Sequence, residues 1–230
     1  MSELEEIKSR YRRREELPAD RYSILRPEVY LIEQEKERSL IRWINRNNIA
    51  PLNNKKLLEI GCGNGGNILT FLKLGFKPEN IFANELLENR YLDAKKKLPQ
   101  SIQIIQGNAL DIDLPHNQFD IVYQSMVFSS ILNDDFKKDL ARKLYDLTKP
   151  GGGILWYDFI YNNPNNPDVK GIKLNEIKNL FKNTVIIKEK ITLAPPIARL
   201  VTKVHPVLYN VFNSLYVLRT HLLVWIKKID

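Results

Sequence analysis

The chain has 230 residues, enough for one domain with a full core, and its 43% hydrophobic and 27% charged residues are typical of a soluble globular protein. Its single cysteine excludes an intramolecular disulfide and a thiolate metal cluster, and no apolar stretch is long enough to predict a membrane-spanning helix. The net charge of +8 admits nucleic acid or an anionic surface as a partner, but most lysines are dispersed or lie beside acids, as on an ordinary basic surface.

The first fifty residues carry two helical patterns. Residues 2–16 are highly charged and lack the apolar core of a secretory signal, and Pro27 stands where a helix over 28–47 would begin. We therefore predict an N-terminal helical cap over residues 1–50. We also expect a cytoplasmic chain, with peripheral contact to a membrane as a further option.

From residue 56 onward, short apolar runs alternate with helical patterns. The predicted strands are 57–60, 81–85, 102–107, 119–124, 154–159, 184–193 and 218–228. The predicted helices between them cover 66–74, 87–98, 134–147 and 173–182. This alternation predicts a parallel sheet with helices on both faces, and unbroken apolar runs are typical of strands covered on both sides. We expect residues 51–230 to form this α/β domain.

Four of the ten glycines lie in LLEIGCGNGG, residues 57–66, where the first strand turns into a helix. Glycine accepts positive φ and lets a ligand approach the backbone, and the following helix offers free N–H groups. Gly61, Gly63 and Gly66 match the G-x-G-x-x-G spacing of nucleotide-binding turns. Glu85 ends the second strand, where a carboxylate can accept hydrogen bonds from two ribose hydroxyls. The pattern predicts a nucleotide-like ligand, the alternative being a tight turn without one.

Two cofactors fit such a turn, a nicotinamide dinucleotide and S-adenosylmethionine (SAM). Glu59 lies two residues before the first glycine, where its charge would repel a pyrophosphate but attract an ammonium group. Asn108, after the third strand, offers a carbonyl oxygen to an adenine amino group. A glycine turn at 149–153 leads directly into the fifth strand. These features favour SAM.

Four stretches resemble class I SAM-dependent methyltransferases of the type 11 branch. They are LLEIGCGNGGN, NELLENRYLDAKKKL, IIQGNALDIDLPHNQFDIVYQSMVFSSIL and LTKPGGGILWYDF, which together span about residues 55–160. The resemblance implies a Rossmann-like, doubly wound sheet of seven strands in the order 3-2-1-4-5-7-6, with strand 7 antiparallel. It also implies SAM as the cofactor.

The same resemblance assigns cofactor-binding roles residue by residue. The expected residues are Glu59, Gly61, Cys62 and Gly63 at the methionine end, Glu85 at the ribose, Leu86, Asn108 and Ala109 around the adenine, and Gln124 at the methionine portion or the substrate. The family usually has aspartate where Asn108 stands, but asparagine keeps one acceptor for the adenine. Outside the matched stretches, Arg21, Tyr22 and Arg26 could pair with the cofactor carboxylate or form a salt-bridged helix start.

The segment between the last two predicted strands, residues 194–217, is too long for a hairpin turn. It starts at the cofactor edge of the sheet, and its apolar positions 208, 211, 212 and 215 have helical spacing. Loops at this edge carry specificity, so we predict a substrate lid. Ordinary packing and contact with a membrane are the alternatives.

Several side chains are candidates for contact with the methyl acceptor. The candidates for a general base are Asp158 and His205, while His116 and His221 have less defined places. The candidates for binding the acceptor are Tyr157, Tyr161 and Asn163.

We therefore predict a SAM-dependent methyltransferase that acts on an oxygen of a small-molecule, glycan or lipid-linked acceptor. The sequence has no recognisable metal-ligand cluster, so metal-independent chemistry is expected. An RNA methyltransferase is one alternative, although residues 123–126 read YQSM where base-amino methyltransferases resemble one another in an Asp/Asn-Pro-Pro-Tyr motif. A non-catalytic SAM-binding subunit is the other.

Overall fold

The computed structural model of the chain describes residues 2–16, 18, 20–164 and 166–229. The helices are α1 (Glu3–Glu15), α2 (Pro27–Arg46), α3 (Gly66–Leu74), α4 (Glu88–Lys97), α5 (Asp134–Leu147), α6 (Leu174–Leu180), α7 (Pro195–Val204) and α8 (Val207–Ser214). The strands are β1 (Leu57–Ile60), β2 (Ile81–Glu85), β3 (Gln103–Gln106), β4 (Phe119–Ser125), β5 (Thr148–Phe159), β6 (Thr184–Leu193) and β7 (Arg219–Lys228). Short 3₁₀ turns cover Pro78–Asn80, Phe128–Ser130 and Tyr216–Leu218.

The strands form one sheet in the order β3-β2-β1-β4-β5-β7-β6. Strands β1 to β5 pair in parallel, whereas β7 pairs antiparallel with both β5 and β6. This confirms the predicted doubly wound sheet with strand 7 antiparallel. The strand order reverses its direction between β1 and β4, and such a switch point opens a crevice at the carboxyl ends of the strands.

The observed limits of β5 differ from the prediction. The strand begins at Thr148, so the glycines of 149–153 lie inside it rather than before it. The pairing with β4 is irregular between Phe119 and Ile121, and Gly151 has a φ of +73°. The glycines that were predicted to form a turn before the strand therefore form an irregularity inside β5. Glycine accommodates such an irregularity because it accepts positive φ.

The unbroken apolar runs are typical of strands covered on both faces, but the two edge strands are less covered than the central ones. Strands β1 and β2 are wholly buried, whereas β3 and β6 each have no neighbouring strand on one side, and β3 and the first half of β6 are partly open. On β6, Val185 and Ile187 are 47% and 46% exposed. An apolar run does not reveal whether its strand is central or at an edge.

Two apolar cores lie on opposite faces of the sheet. Side chains of α1, α5 and α6 cover one face, where Phe128 and Trp156 pack with ring centroids 4.3 Å apart. Side chains of α2, α3 and α4 cover the other, where Trp43 packs against Trp225 at 5.0 Å. Full burial of one such side chain contributes about 1.5–3 kcal/mol. The two cores hold the strand ends, and hence the crevice, in place.

The two N-terminal helices extend the layers on the two faces. Helix α1 is fastened by Arg10, whose guanidinium donates to the carbonyl of Ser130 over 3.2 Å. Helix α2 begins at Pro27, as predicted, and its side chains belong to the core that contains Trp225. The division of the chain at residue 50 stays a prediction, and residues 1, 17 and 19 of that predicted cap lie outside the described residues.

The segment 194–217 folds into α7, α8 and a short turn, and it is tied to α2 by a buried carboxylate. Glu35 of α2 accepts hydrogen bonds from the Tyr209 hydroxyl at 2.8 Å, the Asn213 amide at 2.7 Å and the backbone N–H of Thr192 at 3.1 Å. A buried carboxylate with three donors is well satisfied. The segment therefore packs firmly on α2 and β6, and its role as a substrate lid stays a prediction.

Within the described residues, no helix combines the length and the apolar character needed to cross a membrane.

Candidate active site

A cavity of about 1210 Å³ lies along the carboxyl edge of the sheet. One half is walled by the ends of β1, β2 and β3, and the other by the ends of β4, β5 and β6 and the start of β7. Helices α1 and α2 line it as well. Ordinary ligand pockets measure about 300–1,000 Å³, so this cavity has room for two ligands side by side.

The glycine turn after β1 forms the floor of the first half. Gly61 has a φ of +68°, and a Cβ there would lie 2.6 Å from Cγ2 of Val127, so both backbone and space require glycine. Gly63 has a φ of +58° with no neighbouring atom near a Cβ position, so that side of the turn is open. The thiol of Cys62 is buried, and this burial raises its pKa well above the usual range, with Glu59 and Glu85 adding to the effect. Cys62 is thus a neutral lining residue.

Glu85, at the end of β2, is held in place by the backbone on two sides. Its Oε2 accepts from the N–H of Gly63 at 2.7 Å, and its Oε1 accepts from the N–H of Leu87 at 2.9 Å. The side chain is almost fully buried, yet it lines the cavity. A carboxylate oxygen has more than one acceptor site, so each can still receive a second donor. This geometry fits a pair of vicinal hydroxyl groups.

Glu59 of β1 is fully buried and belongs to a chain of three polar side chains. Its Oε1 accepts from the amide of Asn67 at 2.7 Å, and the Asn67 carbonyl accepts from the Lys36 ammonium at 2.9 Å. Burial raises the pKa of Glu59 to about 8, against the lowering effects of Asn67 and Lys36. The second carboxylate oxygen, Oε2, is buried without a hydrogen-bond partner among the described residues. A cationic ligand group near this oxygen would restore its charge.

Three more buried polar atoms around the cavity also lack a hydrogen-bond partner among the described residues. They are Nε2 of Gln124, Nη2 of Arg14 and Nε of Arg21, each buried and without a hydrogen-bond partner in the described part of the chain. Arg14 and Arg21 line the cavity, whereas Arg26 forms ion pairs with Glu28 at 2.8 Å and Asp20 at 3.3 Å. Buried polar groups in proteins are normally paired. One unsatisfied acceptor and three unsatisfied donors suit an amino acid carboxylate and ammonium, so the residues fit the methionine end of SAM.

The predicted adenine-binding residues lie together at the far end of this half. Leu86, Asn108 and Ala109 all line the cavity. The carbonyl of Asn108 accepts from the N–H of Leu110 at 3.2 Å, and its amide donates to Asp111 at 3.0 Å. These bonds fix the orientation of the Asn108 side chain, whose carbonyl oxygen retains a second lone pair for a ligand.

The second half of the cavity has an aromatic and polar wall. The hydroxyl of Tyr157 lies 2.9 Å from Oγ1 of Thr192, and the Tyr157 ring stacks on His221 at 5.0 Å. Burial lowers the pKa of His221 to about 3, so its ring is neutral at pH 7. Arg199 of α7 reaches the same wall and has no ion-pair or hydrogen-bond partner among the described residues.

Other predicted site residues do not line the cavity. Glu59 and Gln124 are buried beside it, and Oε1 of Gln124 accepts from the N–H of Val127 at 3.1 Å. Asp158 is buried in the protein, where it accepts from the N–H groups of Ser129 and Phe159, both at 3.0 Å. The side chains that are exposed outside the cavity are His205, Tyr161 and Asn163. The binding and catalytic roles of all these residues stay predictions.

Several lining residues were not predicted from the sequence. Lys36 and Asn67 connect to Glu59 through α2 and α3, and Thr192 and Arg199 come from β6 and α7. His221 was given no defined place, although it lies in the cavity. None belongs to a motif with fixed spacing, because the fold alone brings them to this edge. Within the described ranges, no group of three or more potential ligand side chains could hold a metal ion.

The chain matches known proteins over this part of its length. A family described as a methyltransferase domain matches residues 58–156. The sterol 24-C-methyltransferase of Pneumocystis carinii is 25% identical over 130 residues, which are 52% of this chain and 34% of that protein. The fatty-acid O-methyltransferase of Mycolicibacterium smegmatis is 31% identical over 113 residues, 47% of this chain and 39% of that protein. The aligned region thus spans little more than a third of each relative.

The fold is also found in a solved structure with ligands. The 1,6-didemethyltoxoflavin-N1-methyltransferase of Burkholderia thailandensis, solved with 1,6-didemethyltoxoflavin and S-adenosylhomocysteine bound, aligns with a TM-score of 0.63 at 13% identity, over 99% of this chain and 87% of that one. S-adenosylhomocysteine is what remains of SAM after methyl transfer. Residues 58–156 therefore match a methyltransferase domain, and the chain has the fold of a solved methyltransferase that binds S-adenosylhomocysteine.

Proposed function

We propose that the chain is a SAM-dependent methyltransferase that transfers the methyl group to a carboxylate oxygen of a small, largely apolar acid. The observation that carries the proposal is Arg199 on the wall of the second half of the cavity, with no charged partner among the described residues. A guanidinium in such a place binds a carboxylate in a bidentate manner more readily than it binds a hydroxyl.

The chemistry of the wall also favours an acceptor that is already ionised. Methyl transfer to a hydroxyl is helped by a general base, but His221 is a weak base because its pKa is about 3. Asp158 does not line the cavity, and His205 is exposed elsewhere. A carboxylic acid has a pKa of about 4.3 in the unperturbed case, so it carries its negative charge at pH 7 without help.

An apolar body for the acceptor is supported by the rim of the cavity. Tyr22, Ile24 and Tyr30 line the cavity and remain partly open to solvent. Apolar side chains at the rim gain most when an apolar ligand covers them. Two relatives are named for a fatty acid and a sterol, which are apolar molecules.

Under this proposal the residues of the chain bind and align the acceptor. When bound, SAM supplies an activated methyl group, so that catalysis depends mainly on position. Arg199 holds the acceptor carboxylate, while Tyr157 and His221 form an uncharged wall that excludes water. A new bond between carboxylate oxygen and methyl carbon replaces the sulfur–methyl bond, giving a methyl ester and S-adenosylhomocysteine.

The proposal is tested with labelled SAM, decanoic acid and 1-decanol. We expect methyl ester from the acid and no ether from the alcohol. Arg199→Gln should lower kcat/KM for the acid by about 10- to 100-fold, as for loss of one charged hydrogen-bonded contact, and leave SAM affinity unchanged. Lys203→Gln, an exposed cation on the same helix, is the control and should keep wild-type kcat/KM for the dissolved acid. Equal methylation of the alcohol, or full activity of Arg199→Gln, would contradict the proposal.

The predicted general bases are tested by the pH dependence of kcat/KM for Asp158→Asn and His205→Ala. Burial raises the pKa of Asp158 to about 7, so an essential Asp158 base would give activity that rises through pH 7. Because a carboxylate acceptor needs no base, we expect both variants to keep the wild-type profile shape between pH 6 and 9. If the wild-type activity rises through pH 7 and either variant loses that rise, the replaced residue is a general base and a hydroxyl acceptor is indicated.

A further inference from the structure

We propose that the outer surface of α7, α8 and the turn after them docks on a lipid bilayer that contains anionic lipids. We call this surface the α7–α8 face. It is defined by seven exposed apolar side chains, which are Leu200, Val204, Val207, Val211, Leu215, Tyr216 and Val217.

The spacing of these side chains gives each helix an outward apolar stripe. Leu200 and Val204 are four residues apart on α7, and Val207 and Val211 are four apart on α8. Side chains with this spacing lie on one side of a helix. Val204 of α7 and Val217 of the turn after α8 are each 76% exposed, although the opposite sides of α7 and α8 are buried against the protein. Two helices with one buried and one exposed apolar side are unusual for a surface that only meets water.

The charges around the face indicate which partner covers it. Residues 194–217 contain no aspartate or glutamate but two basic residues, Arg199 at the cavity and Lys203, which is exposed next to Val204. An amphipathic helical surface with apolar and basic residues but no acid is typical of proteins that lie in the interface of an anionic bilayer. A second copy of the chain is a poorer partner, because a two-fold interface would place the same basic surface against itself.

The face is continuous with the cavity. Helix α7 carries Leu200 on its outer side, while Pro195 and Arg199 of the same helix line the cavity. A second exposed apolar group lies on the loop before α2, where Leu25 is 89% exposed beside Ile24 of the cavity rim. A bilayer that contacts the α7–α8 face and the Leu25 loop would supply an apolar acceptor directly to the cavity. The supply of the acceptor rests on the proposed function, whereas docking on the bilayer does not.

The test is co-sedimentation of the full chain with phosphatidylcholine vesicles, prepared with and without phosphatidylglycerol. We expect binding to the vesicles that contain phosphatidylglycerol, decreasing with added salt because the attraction is partly electrostatic. Lys203→Gln should weaken the partition coefficient about fivefold, the effect of one basic residue near an anionic surface. The triple variant Leu200→Ser, Val211→Ser, Val217→Ser should weaken it by about tenfold or more.

A double variant in the first half of β6, outside the α7–α8 face, is the matched control. Val185→Ser with Ile187→Ser removes two exposed apolar side chains from the edge strand β6 and should bind vesicles as the wild type does. All variants are titrated with SAM without vesicles, which shows separately that each is folded and that the cofactor assignment holds. The proposal is overturned if the wild type does not bind vesicles, or if Lys203→Gln and the triple variant bind them as well as the wild type does. It is also overturned if the wild type proves to be a dimer and the triple variant a monomer, because the face would then be an interface between two copies.

Discussion

Replacing Glu85 with alanine is expected to weaken SAM binding by about a hundredfold or more, because two hydrogen bonds to a charged acceptor contribute about 1.5–3 kcal/mol each. The carboxylate also accepts from the N–H groups of Gly63 and Leu87, at 2.7 and 2.9 Å. If Glu85 holds the ribose, as we predict, its removal takes away the ribose acceptor and also loosens the glycine turn. S-adenosylhomocysteine, which has the same ribose, should lose affinity to the same extent.

A nearby acid provides the control for this experiment. Glu88, three residues further along the chain, is exposed and does not line the cavity. Glu88→Gln changes the charge of the same region but should leave the Kd for SAM at its wild-type value. Both variants are measured by calorimetric titration, with thermal unfolding to establish that each is folded. A folded Glu85→Ala protein with wild-type SAM affinity would show that the ribose is not bound at the end of β2.

Replacing Glu59 with glutamine is expected to lower SAM affinity while stabilising the free protein at alkaline pH. The carboxylate is buried, its Oε2 has no hydrogen-bond partner within the described part of the chain, and its pKa is raised from 4.5 to about 8. The folded state therefore binds the proton more tightly than the unfolded state, and stability falls as pH rises from about 5 to 8. This loss reaches about 1.4 kcal/mol per pH unit at its steepest. Glutamine keeps the acceptor for Asn67 and has no charge to bury.

The measurement is the free energy of unfolding of the wild type and the variant at pH 5, 7 and 8.5, without ligand. The two should differ little at pH 5, and the advantage of Glu59→Gln should grow toward pH 8.5. Saturating SAM should reverse the order, because the ligand ammonium is attracted to the ionised carboxylate. Glu79→Gln, which removes an exposed acid, should show neither effect. A pH-independent difference between Glu59→Gln and the wild type would contradict the assignment of a raised pKa to Glu59.

Much of the fold could be predicted because each local signal agreed with the next. The apolar runs at 57–60, 81–85 and 184–193 have the limits of β1, β2 and β6. Turn glycines, Pro27 and the alternation of strands with helices each constrain the chain over a few residues. The strand order, by contrast, follows from the resemblance to a known family, because pairing between strands far apart in sequence leaves no local pattern.

The cofactor half of the site was more predictable than the acceptor half because its residues belong to local sequence patterns. Gly61, Gly63 and Glu85 occupy fixed positions at strand ends, and the structure brings them together in one cavity. Arg199 and His221 reach the cavity from α7 and β7, whose places depend on long-range packing. His205 is a predicted base because it lies in the segment 194–217, which starts at the cofactor edge of the sheet. In the structure it caps the carboxyl end of α7 and is exposed.

The wall of the acceptor half depends on contacts that no local pattern encodes. Tyr157 was predicted to meet the acceptor, and its place next to Thr192 and His221 follows from the pairing of β7 between β5 and β6. Asp158, its neighbour in sequence, accepts from two backbone N–H groups instead of lining the cavity. Successive side chains of a strand point to opposite faces, so adjacent candidates cannot all share one site.

The cofactor assignment is tested most directly by calorimetric titration of the purified chain with SAM, S-adenosylhomocysteine and NAD, each under the same conditions. We expect one binding site for SAM and for S-adenosylhomocysteine, and no heat of binding for NAD. Binding of NAD with no response to either adenosyl compound would contradict the assignment, and the glycine turn after β1 would then hold a pyrophosphate rather than the amino acid end of SAM.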